Sequence, residues 1–314
     1  MSPRVGNAAE PPATLAAILA ALATVACWGS AFPFIRLALV ELQPIPLAAA
    51  RFGVAAIPFA FWLVWKRPPF PTPQHILRFG LCSLLGIALY NVLLNGGQVT
   101  VPAGAASFLL GTVPALTALL AAIFLSESLS KIGMMGTALS LFGIAGLSQE
   151  QPGGLDVGAG ASLILCAAFC QAGYFVVLKP LVAHYGATAC AAYTLIGGFI
   201  LLSPWLPSAA TELSRASMAT QLAVLFLGLV PAAIGYSTWS YASGKLGATR
   251  ASNFLFLVPP VATFLGYFLN REIPTIMTFL AGFLVLVGVA IVNVAVSRDR
   301  RSRAISREQD AGEA

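Results

Sequence analysis

The chain alternates between apolar runs of about 20 residues and short polar breaks, and that is the length a helix needs to cross a ~30 Å hydrocarbon layer. Ten runs read as helices: 14–36, 44–66, 77–98, 103–125, 130–147, 158–180, 187–207, 220–243, 249–270 and 275–297. Proline and glycine punctuate many of the breaks, as at Arg67-Pro68-Pro69 and Pro152-Gly153-Gly154. Pro274 suits the first turn of the last run, where its missing N–H costs nothing. Polar side chains inside the runs are few and fall at helical spacing. Asn91, Asn95 and Gln98 share one face, with Tyr90 at its edge. Tyr236, Ser240 and Ser243 repeat that spacing, with Ser237 and Trp239 beside them.

The second half of the pattern copies the first. Tyr90, Ala106-Ser107, Val113-Pro114, Glu127, Gly143 and Ala145 return as Tyr236, Ala251-Ser252, Val258-Pro259, Glu272, Gly288 and Ala290. From the Ala-Ser pair onward the shift is a constant 145 residues, and it is 146 at the tyrosines. The expected organisation is a tail at 1–13, a first five-helix repeat at 14–147, an outer linker at 148–157, a second five-helix repeat at 158–297 and a basic tail at 298–314. Five spans per repeat is an odd number, so the second copy enters the membrane from the opposite face. The fold class expected is therefore all-α integral membrane: ten transmembrane helices as two inverted five-helix repeats around a central cavity.

Composition fixes the solvent. Apolar residues make up 58% of the chain and charged residues 9%, against about 25% charged in soluble domains. A surface so short of charge faces lipid. The net charge of +6 does not imply nucleic acid, because Arg298, Arg300, Arg301, Arg303 and Arg307 sit together just after the last span. That placement is a juxtamembrane anchor, able to touch anionic lipid. With the N-terminus in the cytoplasm, 13 of the 17 basic residues fall on the cytoplasmic side, which sets both termini inside.

Chemistry is informative mostly by absence. Cys27, Cys82, Cys166, Cys170 and Cys190 all lie in apolar runs without a C-x-x-C and read as small packing residues. Cys166 and Cys170 are one turn apart but have no nearby His or acid, so no metal and no cofactor is expected. His75 and His184 are the only histidines and are read as loop residues. Neither a nucleophile elbow, a zincin helix nor a phosphate-binding loop occurs. Glu127 and Glu272 end their runs just before a following helix, where the macrodipole favours a negative charge. They read first as structural, and second as candidates for proton coupling. Arg51 is the one charge clearly inside a span. It is read as structural, by snorkelling or bonding a carbonyl, with a substrate carboxylate as the alternative.

Trp28-Gly29-Ser30, Arg51, and the pairs Pro114/Glu127 and Pro259/Glu272 together resemble the drug/metabolite transporter superfamily, and within it the ten-helix EamA exporters. The resemblance covers roughly residues 14–297 and is nearest to the branch exporting amino acids, aromatic ones included. It departs at Phe169-Cys170-Gln171, where many relatives carry a Trp. The resemblance implies a secondary transporter of small organic solutes, not an enzyme, working without ATP hydrolysis. It implies a multi-pass plasma-membrane protein of the bacterial inner membrane, with lipid and a small-molecule substrate as partners and a homodimer as the assembly allowed for. A broad drug or nucleotide-sugar exporter stays open as the alternative, and an intramembrane lipid-modifying enzyme as the remote one.

Lipid offers no hydrogen bonds, so polar side chains in spans face neighbours or a wet cavity. The expected substrate-binding residues are Trp28, Ser30, Tyr90, Asn91, Asn95, Gln98, Ser107, Gln171, Tyr174, Tyr236, Trp239 and Asn253. Depth divides them into an outer layer (Trp28, Ser30, Tyr90, Asn91, Ser107) and an inner layer (Gln171, Tyr174, Tyr236, Trp239, Asn253). These layers are read as alternating gates around a midplane site.

Overall fold

The structure is a computed structural model that describes residues 15–124, 131–149, 158–246, 251, 254–291 and 294. The N-terminal tail, Glu127, most of the linker, Asn253 and the basic tail lie outside the described residues. Every described element is helical. Among the described residues, six helices are long and apolar enough to cross a membrane: α1 (Leu15–Ala38), α2 (Pro44–Lys66), α3 (Pro73–Gln98), α7 (Ala159–Tyr185), α8 (Ala187–Arg215) and α9 (Met218–Leu246). Between and after them lie α4 (Ala103–Leu110), α5 (Val113–Phe124), α6 (Lys131–Gln149), α10 (Leu255–Asn270) and α11 (Ile276–Ile291). Large apolar side chains point outward along them, among them Ile57, Phe61, Phe142, Phe279 and Phe283. A lipid-immersed surface requires this, and the chain is a multi-pass membrane protein.

Local sequence sets the helix ends. Pro44 and Pro73 stand in the first turns of α2 and α3, where an amide has no intrahelical acceptor. Arg67 closes α2 in the left-handed region at φ 45°, and Pro68-Pro69 then prevent the helix from resuming. Several helix ends differ from expectation, two of them by five residues or more. α7 runs past Pro180 to Tyr185, because Leu181 is fully buried in a cluster with Phe79, Cys82, Tyr174 and Cys190. Gly186, at φ 79°, ends it instead. α8 passes a tight turn at Ser203–Trp205 and continues to Arg215, beyond the expected stop at 207. The two histidines also lie in helix ends rather than loops, with ring centroids 5.4 Å apart and His75 Nδ1 2.9 Å from the Tyr185 hydroxyl.

The irregularities obey the repeat. α3 contains a widened π turn at Leu84–Ala88, and α9 contains one at Gly228–Ile234. The shift of 146 carries the first onto the second. α4 and α5 are separated by a break at Gly111-Thr112, and the shift of 145 lands on the 3₁₀ turn Leu255–Leu257 that opens α10. The packing obeys it too. α1 packs on α9 and α10, while α7 packs on α3, α4 and α5, so the first helix of each half lies against the other half. The shared core is rich in alanine, with Ala48, Ala49, Ala55, Ala161 and Ala192 fully buried. Small residues let helix backbones approach where no hydrophobic drive separates lipid from protein.

Candidate functional site

A cavity of about 180 Å³ lies where the two halves meet. Its wall is built from equivalent positions. Leu110, Gly111, Val113 and Pro114 border it from the α4–α5 break, and Leu255, Phe256, Val258 and Pro259 from the start of α10. Tyr90 and Tyr236 face it directly after the two π turns. Phe32, Phe52 and Phe175 add apolar rings, and Arg51, Asn91, Ser107 and Gln171 add polar groups.

The π turns explain how the tyrosines are aimed. A π turn inserts one residue and rotates all that follow, and such turns gather at functional sites. In α9 the Gly235 N–H reaches back five residues to the Val230 carbonyl. The Pro231 carbonyl, which a regular helix would pair with that amide, instead accepts the Trp28 indole N–H at 3.2 Å. Trp28 then lies edge-on to Tyr236 at 5.6 Å and tilted against Trp239 at 5.4 Å. Gly235 makes room for it: a Cβ there would stand 2.7 Å from Trp28 Nε1. Gly29 lets α1 approach α10, since its Cβ would meet Val261 at 2.7 Å.

Arg51 is the one charged side chain on the cavity wall among the described residues. It is 7% exposed. Its Nη1 donates to Asn91 Oδ1 at 3.2 Å, and Asn91 Nδ2 is itself fixed by the Ile87 carbonyl at 2.8 Å. The guanidinium carbon lies 5.2 Å from the Phe52 ring centre. Its Nε has no partner. The described acids are Glu41, Glu212 and Glu272, and each is engaged elsewhere: Glu41 with Ser217, Glu212 with the Gln43 amide, and Glu272 with Arg36 and the Ala103 amide.

The expected binding residues divide. Trp28, Tyr90, Asn91, Ser107, Gln171 and Tyr236 border this cavity, so members of both expected layers share one space. Trp239 stands behind Trp28. Asn95 and Gln98 continue the amide face away from the cavity and tie helices, donating to the Pro44 carbonyl at 2.9 Å and the Phe32 carbonyl at 3.1 Å. Ser30 bonds the Cys27 carbonyl of its own helix. Tyr174 is packed in the Phe79–Leu181 cluster, where Gly86 gives its ring room. Glu272 stabilises the start of α4 rather than that of the helix following it, through the Ala103 N–H at 2.8 Å. Arg51, read first as structural with a substrate carboxylate as the alternative, stands on the wall, as do the repeat-marking Pro114 and Pro259. The visible signals were that Arg51 is the lone charge inside a span and that Val-Pro repeats.

A helical, multi-pass membrane protein with a cavity built from two related halves belongs to the class of membrane transporters. The EamA-like transporter family model matches residues 15–149 and again 158–294, and the chain belongs to that family. It is a transporter rather than an enzyme, which removes the lipid-modifying alternative. A probable terminal-alkyne amino-acid exporter of Streptantibioticus cattleyicolor is 34% identical over 277 residues, covering 88% of this chain and 93% of that protein. A probable amino-acid metabolite efflux pump of Escherichia coli K12 is 29% identical over 282 residues, covering 86% and 92%. A solved crystal structure covers 90% of this chain and 98% of its own with a TM-score of 0.59, and at 18% identity it speaks to the fold alone.

Proposed function

We propose that this transporter exports amino acids, aromatic ones included, by alternating access between two inverted five-helix repeats spanning 14–147 and 158–297. In this reading ten spans cross a bacterial inner membrane, both termini are cytoplasmic, and no ATP is hydrolysed. The observation that carries it is the cavity wall: repeat-related residues (Val113-Pro114 with Val258-Pro259, Tyr90 with Tyr236) enclose one space. A site shared by two related halves is reached from either face when one half rocks against the other. The cavity, about 180 Å³, is smaller than the ~300–1,000 Å³ usual for drug-sized ligands, which favours a small solute over a broad drug. Rings from Trp28, Tyr90 and Tyr236 suit an aromatic side chain. Two relatives, one named as an amino-acid exporter and one as an amino-acid metabolite efflux pump, support the same substrate class.

Purified protein in liposomes preloaded with labelled phenylalanine provides the test. Loss of unmodified label down its gradient, without nucleotide, is the expected result. Retention of every member of a labelled amino-acid panel overturns the reading.

A further inference from the structure

We infer that the cavity recognises its substrate by a carboxylate held on Arg51, and that the substrate's amino group is dispensable. The inference rests on the transporter reading and narrows its substrate class to organic carboxylates.

Arg51 is the eighth residue of α2, about 10 Å along the helix from its start. Structural arginines in membranes reach the interface, bond carbonyls or meet an acid. Arg51 is buried, and among the described residues neither a backbone carbonyl nor an acid receives it. Its partner is the neutral Asn91, its Nε is unpartnered, and the three described acids are committed to other sites. A guanidinium carries five donors in a planar fork matched to a carboxylate, and here one bond is made to a side chain. Asn91 acts as a positioning residue, because its own amide is fixed by the Ile87 carbonyl. A buried cation left without an anion is strongly unfavourable, and a carboxylate entering the cavity removes that penalty.

The opposite charge is absent from the described wall. Around the cavity the remaining polar groups are neutral: Ser107, Gln171 and the tyrosine hydroxyls. An ammonium would find rings and neutral acceptors, whereas a carboxylate finds a full charge. The two ends of an amino acid are therefore read unequally.

Three ligands sharing one ring separate these readings: phenylalanine, phenylpropanoate, which lacks the amine, and phenethylamine, which lacks the carboxylate. Their binding to purified full-length protein is followed by tryptophan fluorescence, with Trp28 and Trp239 as reporters. Phenylpropanoate is expected to bind within about tenfold of phenylalanine, and phenethylamine at least about tenfold more weakly than either. Arg51→Gln is expected to weaken both carboxylates at least about tenfold, and Arg51→Lys to weaken them less, since the charge remains while the fork is lost. Phenethylamine binding as tightly as phenylpropanoate overturns the inference, as does undiminished carboxylate binding by a folded Arg51→Gln protein. If that variant fails to fold, the wild-type ranking decides alone. Phenylalanine flux inhibited by phenethylamine and not by phenylpropanoate overturns the inference while the transporter reading stands. Absence of flux for every amino acid overturns that reading separately.

Discussion

Arg36 and Glu272 meet at 3.1 Å and join the end of α1 to the segment between α10 and α11. The same arginine donates to the Gln98 and Val99 carbonyls at 2.7 Å, and the same glutamate accepts the Ala103 amide at 2.8 Å. One ion pair thus ties the ends of α1 and α3, the start of α4 and the second repeat. Both side chains are partly exposed, so the pair itself is worth on the order of 1 kcal/mol. Arg36→Gln and Glu272→Gln are each expected to lower the unfolding midpoint. The double variant should lose less than the sum, with a coupling on the order of 1 kcal/mol. Thermal unfolding in detergent measures this, and strict additivity would show that the contact does not act as a unit.

The Trp28 indole bond to the Pro231 carbonyl predicts a second effect. Trp28→Phe keeps a ring beside Tyr236 and Trp239 but leaves a carbonyl freed by the π turn without its donor. The cost is about 1 kcal/mol. Trp28→Ala also removes the ring contacts, and its loss should be larger. A Phe variant that melts with the wild type would mean that ring packing alone fastens α1 to α9.

The helical periods and the duplication were legible because lipid allows few solutions: each span is about 20 apolar residues, and each half copies the other. The paired π turns were not. One extra residue in a wholly apolar stretch changes no hydrophobic pattern, so nothing marked Leu84–Ala88 or Gly228–Ile234. Pro180 misled because a membrane helix tolerates an interior proline when its neighbours are packed, as Leu181 is. The amide face of Asn91, Asn95 and Gln98 was visible from spacing, but spacing does not say what lies opposite. Asn91 meets the cavity, while the other two meet the Pro44 and Phe32 carbonyls. Arg51 is a related case. Its distance from the helix end suggested snorkelling, whereas in the structure it is buried and its Nη1 donates to the Asn91 side-chain amide oxygen, with no acid beside it among the described residues.

The loops between α1 and α2 and before α9 predict an acid-sensitive clasp. The Glu41 carboxylate accepts the Ser217 amide at 2.8 Å and its hydroxyl at 3.0 Å, at the N-cap of α9. Bonding at Thr220 and Ser217 holds the Glu41 carboxyl below its ordinary 4.5. A carboxyl with a lowered folded pKa stabilises the fold above its unfolded value, and that contribution is lost as pH falls through the folded one. Midpoints measured from neutral pH down to about pH 3 should therefore fall less steeply below 4.5 for Glu41→Gln than for the wild type. The difference is small because the site is exposed. Parallel acid limbs would remove Glu41 from the acid response.

Gly104 and Thr263 provide the last prediction. α4 and α10 are in contact there, and a Cβ at Gly104 would stand 2.7 Å from Thr263 Oγ1 but 3.3 Å from Thr263 Cβ. Gly104→Ala therefore collides mainly with the hydroxyl. Overpacking of this kind costs roughly 1–3 kcal/mol. The Thr263 hydroxyl has no hydrogen-bond partner, so Thr263→Ala alone should be nearly neutral. Combined with Gly104→Ala it should restore most of the lost stability, since the methyl then occupies the space that the oxygen left. Thermal midpoints of the two single variants and the double variant measure the coupling. A double variant no more stable than Gly104→Ala would place the strain in the α4 backbone rather than in this contact. Because α4 and α10 carry related parts of the cavity wall into contact, the same pair should also alter transport: Gly104→Ala is expected to slow phenylalanine flux, and Thr263→Ala to return it toward the wild-type rate.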